Sequence, residues 1–370
     1  MGTIRRWILA GLGLALLAAA GAAALTYDRY IRNPGFLAAP ARASHARLLA
    51  SGLELVTPPG AGPFPTVLLV HGCGGLHGEE GPNPIMDEYA RSAVEAGWAA
   101  AILDSYAPRQ WEAPWARRRV CTGVLLQGFR RAADVLAGLD LLRADARVDH
   151  RRLRIASWSH GGWAVGDLVT LRDPGDGSFR TTMADVEAIY FTYPWCGFPS
   201  QGGQRDWTWK GGVRFVFAEN DTVQSAAGCR PMVDRARKGG SEVETVVFPG
   251  VTHAFDERVK SADSTFKFDP AATERAHAAF IAWLKTPVPL RAGPSAGAGA
   301  SRPPGMIPHQ PGRLCRPLMP EPIAHCRPGK PVSSFSKTWA SGRAPPAAWG
   351  VICQCDAVRP PAWLPVSSWR

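Results

Sequence analysis

Residues 153–165 read LRIASWSHGGWAV. The run from Leu153 to Ala156 has the character of a buried strand, and an apolar helix follows at once, with only Ser157 to Gly162 between them. A strand that turns into a helix over so few residues makes a sharp elbow, which projects the side chain at its apex, Ser159, above the edge of a sheet. Neighbouring backbone leaves room only for small residues two before and two after that apex. Gly161 meets the demand, and Ser157 meets it at the place where glycine is more usual. The helix that starts at the elbow also presents free amides to a developing negative charge.

On either side of the elbow, short aliphatic runs alternate with helical patterns between about Gly52 and Lys285. Strands are expected at Leu53 to Val56, Thr66 to Val70, Trp98 to Leu103, Leu153 to Ala156, Ala188 to Thr192, Val213 to Phe217 and Val243 to Phe248. Several are apolar without alternation, which suits strands buried on both faces of a mainly parallel sheet. Met86, Tyr89, Ala93 and Ala96 recur at helical spacing, as do Leu125, Phe129, Ala132, Leu136 and Leu139, then Ala276, Phe280 and Trp283. Strand and helix in strict alternation predict a doubly wound α/β domain.

A serine hydroxyl is a weak nucleophile near neutral pH; it needs a base within hydrogen-bond reach, and the base needs an orienting acid. After Ser159, the strand VRFVFAEN ends at Asp221 and the strand VETVVF leads through PGVT to His253. Both residues follow a strand's carboxyl end, the edge where open α/β sheets build their sites, and the order Ser, Asp, His is the one that accompanies such an elbow. Glu219 is a weaker substitute for Asp221, His277 lies in a helical pattern, and His309 and His325 lie in a Pro-rich tail. A tetrahedral intermediate would need two backbone donors. The amide of His160 is one, and the amide of Cys73, in the glycine-rich turn HGCGG after the strand TVLLV, is the other. The set points to acyl transfer on an ester or lactone without a metal or organic cofactor. A thioesterase, acyltransferase or peptidase would use the same triad, and a catalytically silent envelope-anchored binding protein is the alternative from another class.

At these residues the chain resembles the dienelactone hydrolase family of α/β hydrolases. The matching blocks are LVHGCGGLHG (69–78), DSYAPR (104–109), SWSHGG (157–162), YPWC (193–196), ENDTV (219–223) and PGVTHAFD (249–256), in register through the middle of the chain. The resemblance implies one domain of the α/β-hydrolase fold with Ser159, Asp221 and His253 in the active site. The best-known members carry cysteine as nucleophile, so a serine variant implies general carboxylesterase chemistry. The resemblance also implies that Cys196 and Cys229 lie close together. Arg109 would bind a substrate carboxylate through its planar fork or pair with Asp104. Trp163, with Trp111, Trp115 and Trp195, would line an acyl pocket or belong to the core, and Arg117 to Arg119 read as a solvated face.

The two ends of the chain have a different character. Arg5 and Arg6 precede an apolar run from Trp7 to Leu25, so residues 1–25 read as a signal peptide or a membrane anchor; both place the rest of the chain outside the cytoplasm, in a periplasmic or comparable compartment. Residues 26–51 read as a linker, 52–286 as the catalytic domain and 287–370 as a disordered tail rich in Pro and Arg. The tail holds 17 of the 33 prolines and +8 of the net charge of +11, so the basic character belongs mostly to it. No nucleic-acid motif stands in the rest. Cys73, Cys121, Cys196 and Cys229 are able to pair in an exported protein, in any of three connectivities. The four tail cysteines lack zinc-ligand spacing, since Cys353 and Cys355 are separated by one residue only. A chain ending at Thr286 is expected to keep its circular dichroism spectrum; loss of folding would show that the tail belongs to the domain.

Overall fold

Val67, Leu68, Leu69 and Val70 follow one another along a strand, and all four are fully buried. Side chains alternate across a strand, so a sheet with this composition has to be covered on both faces. The computed structural model describes residues 2–31, 37–78, 81–260 and 264–287, and the expected disorder of the tail lies outside the described residues. Nine strands are described: β1 (Leu53–Val56), β2 (Phe64–Val70), β3 (His77–Gly78), β4 (Gly81–Pro82), β5 (Ala99–Leu103), β6 (Val148–Trp158), β7 (Val186–Thr192), β8 (Gly212–Ala218) and β9 (Glu242–Phe248). The helices are α1 (Gly2–Ile31), α2 (Ala39–Leu49), α3 (Ile85–Glu95), α4 (Ala113–Cys121), α5 (Gly128–Ala144), α6 (His160–Leu168), α7 (Ser178–Ala184), α8 (Arg230–Lys238) and α9 (Pro270–Lys285).

Seven strands form one sheet in the order β1-β5-β2-β6-β7-β8-β9, parallel throughout except for β1. All seven strands expected from the sequence are present, and the fold is the mainly parallel α/β sheet flanked by helices. Leu68, Val70, Leu103 and Ile155 face one layer, with Leu136 and Leu139 of α5, Val165 and Leu168 of α6 and Phe179 of α7. Val67, Leu69, Ile102, Ala156 and Trp158 face the other, with Met86 and Tyr89 of α3 and Ala276, Phe280 and Trp283 of α9. The chain leaves β2 toward β5 on one side and returns to β6 on the other. Loops after β2 and β6 therefore diverge, which opens a crevice at the carboxyl ends of these two strands.

The expected linker at 26–51 is instead partly structural. Helix α2 packs on α5, with Leu49 fully buried and Leu37 just before it equally so. The Arg42 guanidinium pairs with Asp140 and donates to Ser178 Oγ at 2.8 Å and Thr182 Oγ1 at 2.7 Å, while His45 Nε2 lies 2.7 Å from Asp134 Oδ1. The Ala- and Arg-rich sequence of α2 shows no broad apolar stripe, so its burial is decided by tertiary contacts rather than by periodicity. Within α1, Arg6–Leu25 is an exposed 20-residue stretch with a mean hydropathy of 2.2. At about 1.5 Å per residue it is long enough to cross a hydrocarbon core of about 30 Å.

Phe280 anchors the α9 layer: it is fully buried and its ring lies 5.2 Å from Tyr89, 5.6 Å from Tyr190 and 5.8 Å from Trp283. Truncation leaves a cavity among rings that cannot close over it. Phe280→Ala is expected to lower the free energy of unfolding by about 3–5 kcal/mol, read from guanidinium denaturation.

Candidate active site

Strand β6 ends at Trp158 and α6 begins at His160, so Ser159 alone makes the turn. It has φ +50° and ψ −113°, a region that costs a non-glycine residue about 1–3 kcal/mol and persists only when its surroundings hold it. The surroundings do so from three sides. Ser159 N–H donates to Thr192 O at 3.0 Å, while Ser159 O accepts from Trp163 N at 3.2 Å and Trp195 N at 3.1 Å. A Cβ on Gly161 would lie 2.3 Å from Val70 O, and one on Gly162 would lie 2.5 Å from Pro194 Cβ, so close approach dictates both glycines. Ser157 fits in the other small position, with its hydroxyl donating to Tyr190 O at 3.2 Å.

His253 Nε2 lies 2.9 Å from Ser159 Oγ, and His253 Nδ1 lies 2.7 Å from Asp221 Oδ2. Asp221 Oδ1 accepts from the amides of Val223 at 2.8 Å and Gln224 at 2.9 Å. A carboxylate that only accepts requires the proton on Nδ1, which leaves Nε2 to accept from the serine hydroxyl. Both Asp221 and His253 are buried. Glu219, the other acid in that loop, is turned to accept from Gly250 N at 2.8 Å, and His277 pairs with Ser92 Oγ at 2.9 Å on the far layer.

A buried acid frames this arrangement. Asp256 receives the hydroxyls of Tyr89, at 2.7 Å, and Tyr193, and the indole Nε1 of Trp158 at 3.3 Å. It thereby joins α3, β6, β7 and the loop that carries His253. The loop after β2 is in contact with the elbow, since a Cβ on Gly72 would lie 3.5 Å from Ser159 Cβ. The Tyr106 hydroxyl donates to Cys73 O at 2.8 Å, and Cys73 is disulfide-bonded to Cys121 at the end of α4. Cys196 and Cys229 form the second disulfide, so one of the three open connectivities is selected. Among the described residues no group of three or more His, Cys, Asp or Glu is placed to hold a metal ion.

The sequence model of the dienelactone hydrolase family matches residues 53–288. The chain belongs to that family. Membership makes it a hydrolase acting on ester bonds. Two solved structures share the fold at low identity. One is a dienelactone hydrolase-like promiscuous phosphotriesterase, P91, from metagenomic libraries, 17% identical with a TM-score of 0.50, covering 63% of this chain and 90% of that one. The other is m3DLH, 19% identical with a TM-score of 0.50 and the same coverage of 63% and 90%. No curated protein matches the chain.

In this dienelactone hydrolase family member a cleft of about 420 Å³ opens over Ser159 and His253. Trp163 and Trp195 line it, whereas Trp111 packs on Tyr106 and Trp115 stands exposed under the Arg119 guanidinium. Trp163 is seated by Gly128, whose lack of a side chain admits the indole, and by Asp167, whose Oδ2 accepts from its Nε1 at 2.9 Å. Arg109 is not part of the cleft. Its guanidinium forks onto Asp134 at 2.7 and 3.0 Å rather than onto Asp104, because Asp104 Oδ1 already accepts from the amides of Tyr106 at 2.7 Å and Ala107 at 3.2 Å. Arg118 and Arg119 are solvated as expected, but Arg117 reaches the cleft wall. Two further charged residues at the wall went unread in the sequence. Burial pushes the Glu257 carboxyl up to about 7 against the pull of Lys260, and burial lowers Lys260 in turn. Their only signal is position, just after the His253 loop.

Burial also pushes Asp167 up from 3.8 to about 7, although Gln201 N and Ser200 Oγ donate to it. The folded chain thus favours the neutral carboxyl. The stability this group contributes is complete below its unfolded value and is lost as pH rises through about 7. Asp167→Asn is therefore expected to cost less Tm relative to the parent at about pH 8 than at about pH 5, and equal costs would contradict the shift.

Proposed function

We propose that this protein hydrolyses carboxylic ester or lactone bonds through an acyl-enzyme, with Ser159 as nucleophile, His253 as base and acid, and Asp221 as the group that orients His253. The observation that carries this reading is the continuous hydrogen-bond chain from Ser159 Oγ through His253 to Asp221, at 2.9 and 2.7 Å, on a strained elbow beneath an open cleft.

Ser159 Oγ attacks the carbonyl carbon while His253 Nε2 takes its proton, and the carbonyl π electrons move onto oxygen. The amides of Cys73 and His160 receive that oxyanion, one from the loop after β2 and one from the start of α6. Collapse breaks the bond to the alcohol oxygen, which leaves with the proton from His253. Water then attacks the acyl-serine with His253 again as base, and the acid departs as Ser159 recovers its proton. Asp221 stays ionised and stabilises the imidazolium at each stage. Trp163 and Trp195 give the acyl group an apolar wall. The two disulfides and the exposed apolar stretch of α1 support a location outside the cytoplasm, behind a signal peptide or on an anchor.

The test is p-nitrophenyl acetate hydrolysis by the protein and its Ser159→Ala variant. The variant is expected to lose about a thousandfold or more in kcat with the circular dichroism spectrum unchanged. Equal rates would remove Ser159 from the role of nucleophile.

A further inference from the structure

Arg131 projects from α5 with its side chain fully buried, and among the described residues no carboxylate lies within ion-pair distance of it. Asp134, one turn along the same helix, is occupied by Arg109 and His45. A guanidinium withdrawn from water without its own counterion is retained at a cost to stability, so its charge calls for another reason. Its contacts supply one. Nε donates to Ser105 Oγ at 3.1 Å, Nη1 donates to His160 Nδ1 at 3.2 Å, and Nη2 has no partner. Ser105 N–H donates in turn to His71 Nε2 at 3.4 Å, and His71 Nδ1 donates to Gly72 O at 2.6 Å.

These bonds hold together only if both imidazoles are neutral. His160 must accept at Nδ1, because arginine has no lone pair to offer, and His71 must accept at Nε2 from a backbone amide. Burial and the Arg131 charge lower both histidines well below the usual value, which keeps them in that state. The chain of contacts begins on the elbow at His160 and ends on Gly72, the residue before Cys73. It therefore joins the two segments whose amides face the oxyanion in the proposed mechanism, and it does so through Arg131 on α5 and Ser105 after β5.

We infer that Arg131 is a positioning residue for the oxyanion hole, fixing the His160 amide against the Cys73 amide and placing a buried positive charge behind both. The inference rests on the serine mechanism proposed above. A ground-state ester carries no charge on its carbonyl oxygen, whereas the tetrahedral intermediate carries a full one. The guanidinium thus acts on the transition state and little on substrate binding.

The experiment compares the full-length protein with Arg131→Met, Arg131→Lys and Ser105→Ala, reading kcat and KM for p-nitrophenyl acetate and inhibition by phenylboronic acid, which forms a tetrahedral anion on a reactive serine. Arg131→Met is expected to lower kcat by about 30- to 300-fold with KM within about threefold, and to weaken boronate inhibition by a similar factor. Arg131→Lys keeps the charge and is expected to recover about tenfold of the loss. A folded Arg131→Met with kcat near that of the parent would overturn the inference, as would an Arg131→Lys no better than Arg131→Met. Should Arg131→Met fail to fold, Ser105→Ala decides: parallel losses in kcat and boronate affinity support the role, and unchanged values overturn it. Ser159→Ala runs alongside as the control for the underlying mechanism. If that variant stays active and still binds boronate, the serine reading fails by itself, whatever the Arg131 variants show.

Discussion

The geometry of the proposed active site depends on how closely α6 approaches the end of β2. A Cβ on Gly161 would stand 2.3 Å from the carbonyl oxygen of Val70 and 2.8 Å from that of His71, so only a bare backbone allows the approach. Because of it, the first turn of α6 and the loop that carries Cys73 flank the same few ångströms of space. The sheet order makes the arrangement possible, since β2 and β6 are neighbours whose following segments diverge. Moving α6 out by the width of a methyl group would separate the two amides and lift Ser159 away from His253 together.

Holding a strained serine in place calls for a rigid frame, and the frame is polar. Asp256 gathers two tyrosine hydroxyls and an indole from three separate elements, while Asp167 gathers an indole, a hydroxyl and an amide on the opposite side of the elbow. Apolar packing sets the layers, but it is non-directional. Hydrogen bonds to buried acids fix angles as well as distances, and a positive φ at Ser159 needs both. Burial raises the pKa of Asp167, while the donors that make up this part of the frame pull it the other way.

Much of this was legible in the sequence. The sheet strands were readable because the five central ones carry short buried apolar runs and the two edge strands keep aliphatic residues between polar ones, and the elbow was readable because its small residues are demanded by contact. Ser159, Asp221 and His253 could be named because chain order and strand ends constrain them, and the structure brings the three together. What escaped depends on which partner a polar side chain meets. Arg109 had two acids within reach, and backbone capping by Asp104 left it with Asp134. Arg131 and Asp256 look like surface residues until the layers close over them, and α2 has too narrow an apolar stripe to be separated from a linker. The one trace of the buried network is the Arg131 and Asp134 pair at i, i+3, beside the apolar stretch 135–139 of α5.

One disulfide lies on the wall of the cleft and the other ties a neighbouring loop to the core, since Cys73 and Cys121 line the cleft while Cys229 is fully buried. Cys73–Cys121 ties the loop after β2 to α4, and Cys196–Cys229 ties the loop after β7 to the start of α8, closing stretches of 48 and 33 residues. The loop after β2 and the loop that carries Trp195 and Phe198 are each held by a covalent link. Phe198 stands 83% exposed where the second of these loops meets solvent at the cleft. A cleft with crosslinked walls keeps its shape more nearly constant than one lined by free loops, so less ordering is left for a ligand to impose.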